Sequence, residues 1–131
     1  MISKIDGVVL IVSDLKRSLA FYKDKLGLTV NLEEEGFFGF DVKGTTFSVM
    51  GLSEAIKLFG EKYVGGKDAG RRLELAAEVE NVDSVYENLK SKGVVFVRPP
   101  SDQPWGQRTA DFVDPDGNIW EIYVWTKKPT Q

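Results

Sequence analysis

A chain of 131 residues with 42% apolar content is one compact domain or two small modules sharing a core, and it should bury roughly two-thirds of its unfolded surface. Cysteine and histidine are both absent, which excludes disulfides, thiolate chemistry and Cys-based zinc sites and removes the commonest transition-metal ligand. The net charge of -3, lysines scattered among acids, no run near the ~18 apolar residues of a membrane span and no secretory-type N-terminus set the expectation: cytoplasmic, with no nucleic acid and no membrane as partner.

The first half reads as a strand over 5–12, a helix over 14–26, strands over 28–34, 37–42 and 45–50, and a short helix around 54–59. Leu15, Leu19, Tyr22 and Leu26 recur at three- and four-residue steps and predict one apolar helical stripe, with Ser13 or Asp14 as N-cap. Gly39 interrupts an aromatic strand of Phe37, Phe38 and Phe40. The segment GEKYVGGKDAG has no apolar period and reads as a linker over about 61–70.

The second half predicts a strand over 72–80, a helix over 82–92, a short strand near 94–97 and a hairpin over 108–114 and 118–125. In that hairpin Asp114, Pro115, Asp116, Gly117 and Asn118 are turn formers: proline presets φ, Asp and Asn bond locally, and glycine takes the left-handed conformation. The period of two then puts Ile119, Glu121, Tyr123 and Trp125 on one face and Trp120, Ile122 and Val124 on the other. An acid in the middle of such a strand must look into water, a ligand or a metal, so Glu121 is the leading site candidate. Trp120, opposite it in parity, is expected in the core.

The two halves are the same unit written twice. Val12, Asp14 and Leu15 match Val79, Asn81 and Val82 at a constant offset, with a one-residue slip at Gly27 and Gly93. Aligning FDVKGTTFSVM with VDPDGNIWEIY pairs Asp41 with Asp114, Gly44 with Gly117, Phe47 with Trp120 and Ser48 with Glu121, while Gly7 pairs with Glu74.

This paired βαβββ organisation resembles the glyoxalase, bleomycin-resistance and extradiol-dioxygenase superfamily, the vicinal oxygen chelate fold. The residues that carry the resemblance are SDLKRSLAFYKDKLG at 13–27 and DPDGNIWE at 114–121. It implies an α+β fold, a single domain over 1–131 whose modules (about 1–60 and 71–126) curl their sheets into a cleft, and a homodimer. It also implies four metal-ligand positions, which fall on Gly7, Ser48, Glu74 and Glu121. Only Glu121 keeps a ligand of the family's type; glycine offers none, serine is poor, and Glu74 replaces an imidazole. The expectation is no metal cofactor, with a divalent ion held by Glu74 and Glu121 as the alternative.

Strand parity from Gly7 and Glu121 lines the expected cleft with Val9, Ile11, Thr46, Ser48, Met50, Glu74, Ala76, Glu78, Tyr123 and Trp125. Glu74 and Glu78 read equally as solvated strand residues. Trp105, in the polar loop PSDQPWGQR, reads either as an aromatic wall for a flat ligand or as an anchor between subunits; Arg71 and Arg72 read as an anion site or a solvated pair. Two functions remain open. One is a binding protein holding a small, partly aromatic, neutral or cationic molecule through Glu121, Glu74, Trp105, Ser48, Met50 and Tyr123. The other is a lyase, isomerase or dioxygenase of the superfamily, with Glu121 and Glu74 as the catalytic candidates, either on a metal or as a general acid/base pair.

Overall fold

The computed structural model describes Met1 and residues 7–65 and 73–128, and the chain divides into two units, Met1–Gly70 and Arg71–Gln131. In the first unit β1 (Gly7–Val12) leads into α1 (Leu15–Leu19), which continues as a π-helical stretch (Ala20–Lys25); β2 (Thr29–Glu34), β3 (Phe37–Asp41) and β4 (Thr46–Gly51) follow, then α2 (Leu52–Phe59) and α3 (Glu61–Val64). Its sheet runs β1-β4-β3-β2, with β1 parallel to β4 and the other pairs antiparallel. The second unit repeats the plan with β5 (Glu74–Glu78), α4 (Val82–Ser91), β6 (Val95–Asp102), β7 (Gln107–Val113) and β8 (Ile119–Trp125), in the order β5-β8-β7-β6. These are the expected α+β modules, each a four-stranded mixed sheet.

Each first helix starts on the residue type its geometry needs. Asp14 accepts a hydrogen bond from the Arg17 amide, and Asn81 accepts one from the Ser84 amide, each satisfying an otherwise orphaned helix donor. The two caps are the residues that the internal alignment pairs. Along α1 the expected stripe is only partly right: Tyr22 is fully buried, but Ser18 and Phe21 are buried beside it while Leu15, Leu19 and Leu26 are half-buried. Widening to π-helical geometry after Leu19 rotates the later side chains relative to an ideal 3.6-residue period. Tyr22 then packs edge-on to Phe47 (5.4 Å between ring centres), which stacks on Phe40.

The registers of the two sheets agree residue by residue. Val9 pairs with Ser48 and Ala76 with Glu121; Gly39 pairs with Ser48 and Asp111 with Glu121. Even the irregularities coincide, because β2 slips between Val30 and Leu32 beside Gly39, and β6 slips between Phe96 and Arg98 beside Asp111. The ladder also corrects one alignment. Phe40 faces Phe47, and Phe112 faces Trp120, so the second hairpin holds one extra residue and Asp41 corresponds to Val113 rather than Asp114.

Two boundaries differ from expectation. The strand expected near 94–97 runs to Asp102, through Pro99 and Pro100. Proline cannot donate to a ladder, but β6 is the edge of its sheet and slips again between Arg98 and Ser101, so no ladder bond is required there. The start of the segment read as a linker is helical, Glu61–Val64. Arg71 and Arg72 lie outside the described residues.

Candidate functional site

The turn that positions Glu121 is closed by its own side chains. The Asp114 carboxylate accepts hydrogen bonds from the amides of Asp116 (2.9 Å) and Asn118 (2.8 Å) and from the Asn118 side-chain amide (2.9 Å), and the Asp114 amide donates to the Asn118 carbonyl. Gly117 takes the left-handed conformation, φ 84°. Asp114 and Asn118 are buried by this role and are turn formers, as expected. The closed turn fixes the β7–β8 register, and counting back three residues on each side of it sets Asp111 directly across from Glu121.

Parallel pairing of β5 with β8 supplies a third acid. Glu74 stands in register with Ile119, on the face that also carries Glu121. Carboxylate oxygens of Glu74, Asp111 and Glu121 all lie within 4.8 Å of one another. The opposite face of the same strands is the core, where Ala110, Phe112 and Ile122 are buried and Trp120 stacks on Phe112 at 6.0 Å with the rings nearly parallel. The expected division of β8 into a packed face and an outer face is therefore observed.

Arg98 is the fourth charged group. It is the residue paired with Asp111 across β6 and β7, and its guanidinium Nη1 lies 3.6 Å from Asp111 Oδ2. Asp111 is only 5% exposed, yet Oδ2 accepts no hydrogen bond among the described residues. Burial raises the Asp111 carboxyl above its usual range; Arg98 opposes the shift and Glu74 adds to it. Burial likewise raises Glu121, followed by repulsion from Glu74 and Asp111, with Arg98 opposing and a hydrogen bond with Glu74 favouring the protonated form. Among the described residues three carboxylates face one guanidinium, an excess of negative charge whenever these acids are ionised.

Around these acids the same face of the second unit is aromatic and polar. Tyr123 and Trp125 meet edge to face at 6.4 Å between ring centres. The Gln103 side-chain amide donates to Ser101 Oγ (3.0 Å) and Thr109 Oγ1 (2.9 Å), tying β6 to β7. Trp105, in the β6–β7 turn, is 57% exposed and donates from Nε1 to Gln107 Oε1 at 2.8 Å. Glu78 is exposed and in register with Tyr123.

The remaining candidates belong to the first unit. Ser48 is buried on β4 between Val9 and Gly39, and Met50 is half-buried between Ile11 and Phe37. The corresponding face of this unit is apolar, with Val9 and Ile11 exposed. Gly7 offers no donor, and Ser48 has only a hydroxyl. The residues present do not fit the imidazole-and-carboxylate set of the family's transition-metal sites. Glu74, Asp111 and Glu121 form an oxygen-only group, the type that hard divalent ions accept.

Sequence reasoning missed Asp111 and Arg98. Asp111 was available from the hairpin, since the turn that aims Glu121 also names its cross-strand neighbour. Arg98 was not, because two register shifts and two prolines separate it from any regular count along β6.

Comparison with known proteins agrees with the fold. The family model for the Glyoxalase/Bleomycin resistance protein/Dioxygenase superfamily matches residues 4–122, and the chain belongs to this superfamily. YraH of Bacillus subtilis (strain 168) is 38% identical over 125 residues, covering 92% of this chain and 97% of that protein. A bleomycin resistance protein of Geobacillus stearothermophilus is 28% identical over 123 residues, covering 86% and 89%. The crystal structure of a glyoxalase/bleomycin resistance protein/dioxygenase from Nocardioides superposes with a TM-score of 0.84 at 30% identity, covering 100% of this chain and 90% of that one.

Proposed function

We propose that this protein binds a small, partly aromatic, neutral or cationic molecule on the acidic face of its second unit and does so without a catalytic metal. The observation that carries this reading is the cluster of Glu74, Asp111 and Glu121 on the outer face of β5, β7 and β8, beside Tyr123 and Trp125. Acids select against anions, and the aromatic edges and faces supply apolar contact and attraction for a cation. Similarity to bleomycin resistance proteins supports a binding role, and the missing imidazoles weigh against the family's metal chemistry.

A thermal-shift series tests it. With EDTA present, flat aromatic cations raise the unfolding midpoint, because only a ligand of the native state does so. The three mutually close carboxylates favour one second reading, an oxygen-liganded divalent ion and superfamily lyase, isomerase or dioxygenase activity. A midpoint that responds to Mg, Mn or Ca and to EDTA, but to none of the organic cations, would replace the first reading with the second.

A further inference from the structure

Arg98 and Asp111 make an ion pair with an unusual division of burial. The Asp111 side chain is 7% exposed, and the Arg98 side chain is 57% exposed. At 3.6 Å the approach is longer than a charge-assisted hydrogen bond, and Asp111 Oδ2 has no hydrogen-bond donor among the described residues. A buried carboxylate oxygen in this condition is costly, because burial has removed water without supplying a replacement. Arg98 thus lowers the charge of the cluster without completing its hydrogen bonding.

The backbone explains how Arg98 comes to stand there. Register shifts lie on both sides of it, between Phe96 and Arg98 and between Arg98 and Ser101, and two prolines follow it directly. Such irregularities re-aim a side chain, and here they set a single basic residue opposite a single buried acid on an edge strand. The equivalent position in the first unit, Leu32 opposite Gly39, has neither charge. The pair is a local addition to a duplicated frame.

We infer that Arg98 is a displaceable stand-in for the ligand's own cation: an amidinium- or guanidinium-type group of the ligand donates to Asp111 Oδ2 and to Glu121 while Arg98 turns outward into water. Arg98 is then a specificity-determining residue. Its presence keeps the empty site tolerable, and a neutral ligand, which cannot replace its charge, leaves it in place and gains no contact with Asp111. A flat cation with two or more N–H donors suits the geometry, since it bridges neighbouring carboxylates and lies against Tyr123. This inference rests on the proposed binding function and narrows its ligand class.

Calorimetric titration with benzamidinium and with its neutral counterpart benzamide tests the point on the full chain. Replacing the exposed Arg98 (Arg98→Gln) frees Asp111, so benzamidinium binds on the order of tenfold more tightly, the scale of one charge-assisted bond, while benzamide is unchanged. Asp111→Asn removes the preference for benzamidinium over benzamide, and Arg98→Gln, whose own side chain is largely exposed, serves as the test if that variant does not fold. Equal benzamidinium affinity in the wild type and Arg98→Gln, with binding still lost in Glu121→Gln, overturns the displacement and leaves the binding function standing. If neither compound binds the wild type or Arg98→Gln, the inferred ligand class is wrong. A midpoint response to other flat cations would then preserve the broader reading.

Discussion

Asp111 stands directly across the β7–β8 ladder from Glu121, like charge against like charge. Such a pair is destabilising in a sheet unless something neutralises it, and here Glu74 adds a third acid within 4.8 Å. The arrangement opposes folding and suits a cation, so binding and stability should separate under mutation.

Replacing Glu121 with Gln keeps the shape and removes one charge. Affinity for a cationic aromatic ligand should fall roughly tenfold, about 1.4 kcal/mol, measured by calorimetry. Thermal stability should hold or rise, because a repulsive contact has gone. A large loss of stability would mean that Glu121 is structural.

The pH dependence follows from the direction of the shifts. Asp111 and Glu121 have folded pKa values raised above their ordinary ones, so their contribution to stability is fully present below the ordinary carboxylate range and is lost as pH rises through the raised values. Asp83, lowered first by its hydrogen bond from Arg108, acts in the opposite sense: its contribution is present above the ordinary value and lost as pH falls through the lowered one. Melting curves taken as pH falls from about 7 to the ordinary carboxylate range, about 4, should therefore show a gain from the cluster, smaller in Glu121→Gln than in the wild type. Identical slopes in the two proteins would show that the cluster does not take up protons on folding.

Trp120 and Trp105 should fail differently. Trp120, half-buried, stacks on Phe112 against the core of the second unit, so Trp120→Ala should cost up to about 3 kcal/mol in a denaturant titration. Trp105 is largely exposed, and Trp105→Ala should change stability by less than about 1 kcal/mol while weakening binding of flat ligands. A silent Trp120→Ala would reverse the assignment of strand faces.

A homodimer is expected from the sheet edges and the apolar surface. Acids at Glu33, Glu34 and Glu35 guard the edge at β2, and Pro99 and Pro100 guard β6, but β1 reads GVVLIV without a charge. Leu58, Phe59 and Tyr63 are exposed, and with Ile11 and Val64 they line an open apolar depression. Sedimentation equilibrium should show two copies at tens of micromolar, and Phe59→Glu should weaken the assembly. A monomeric wild type would contradict the expectation.

The modules, the cap of the first helix and the faces of β8 were legible in the sequence because each rests on local chemistry: an Asx cap, a self-closing turn, a period of two. Glu74 and Glu121 could be placed on one face because the family resemblance sets both at ligand positions of one cleft, which supplies the register that a parallel strand lacks by itself. What escaped depended on counting errors along the chain. The extra residue in the second hairpin misaligned Asp41, the π-helical stretch shifted the α1 stripe, and the bulged edge strand hid Arg98.

The matched slips in β2 and β6 make the two halves comparable residue by residue, and they set Gly39 where the second unit has Asp111. A Cβ placed on Gly39, the counterpart of Asp111, would come within 2.9 Å of the Asn31 side-chain oxygen and 3.2 Å of Leu32 Cβ. A side chain at Gly39 therefore requires the Asn31 amide to turn aside and Leu32 to give by a few tenths of an ångström. At this one place the two copies of the frame part: the first sets an amide side chain over bare backbone, and the second buries a carboxylate.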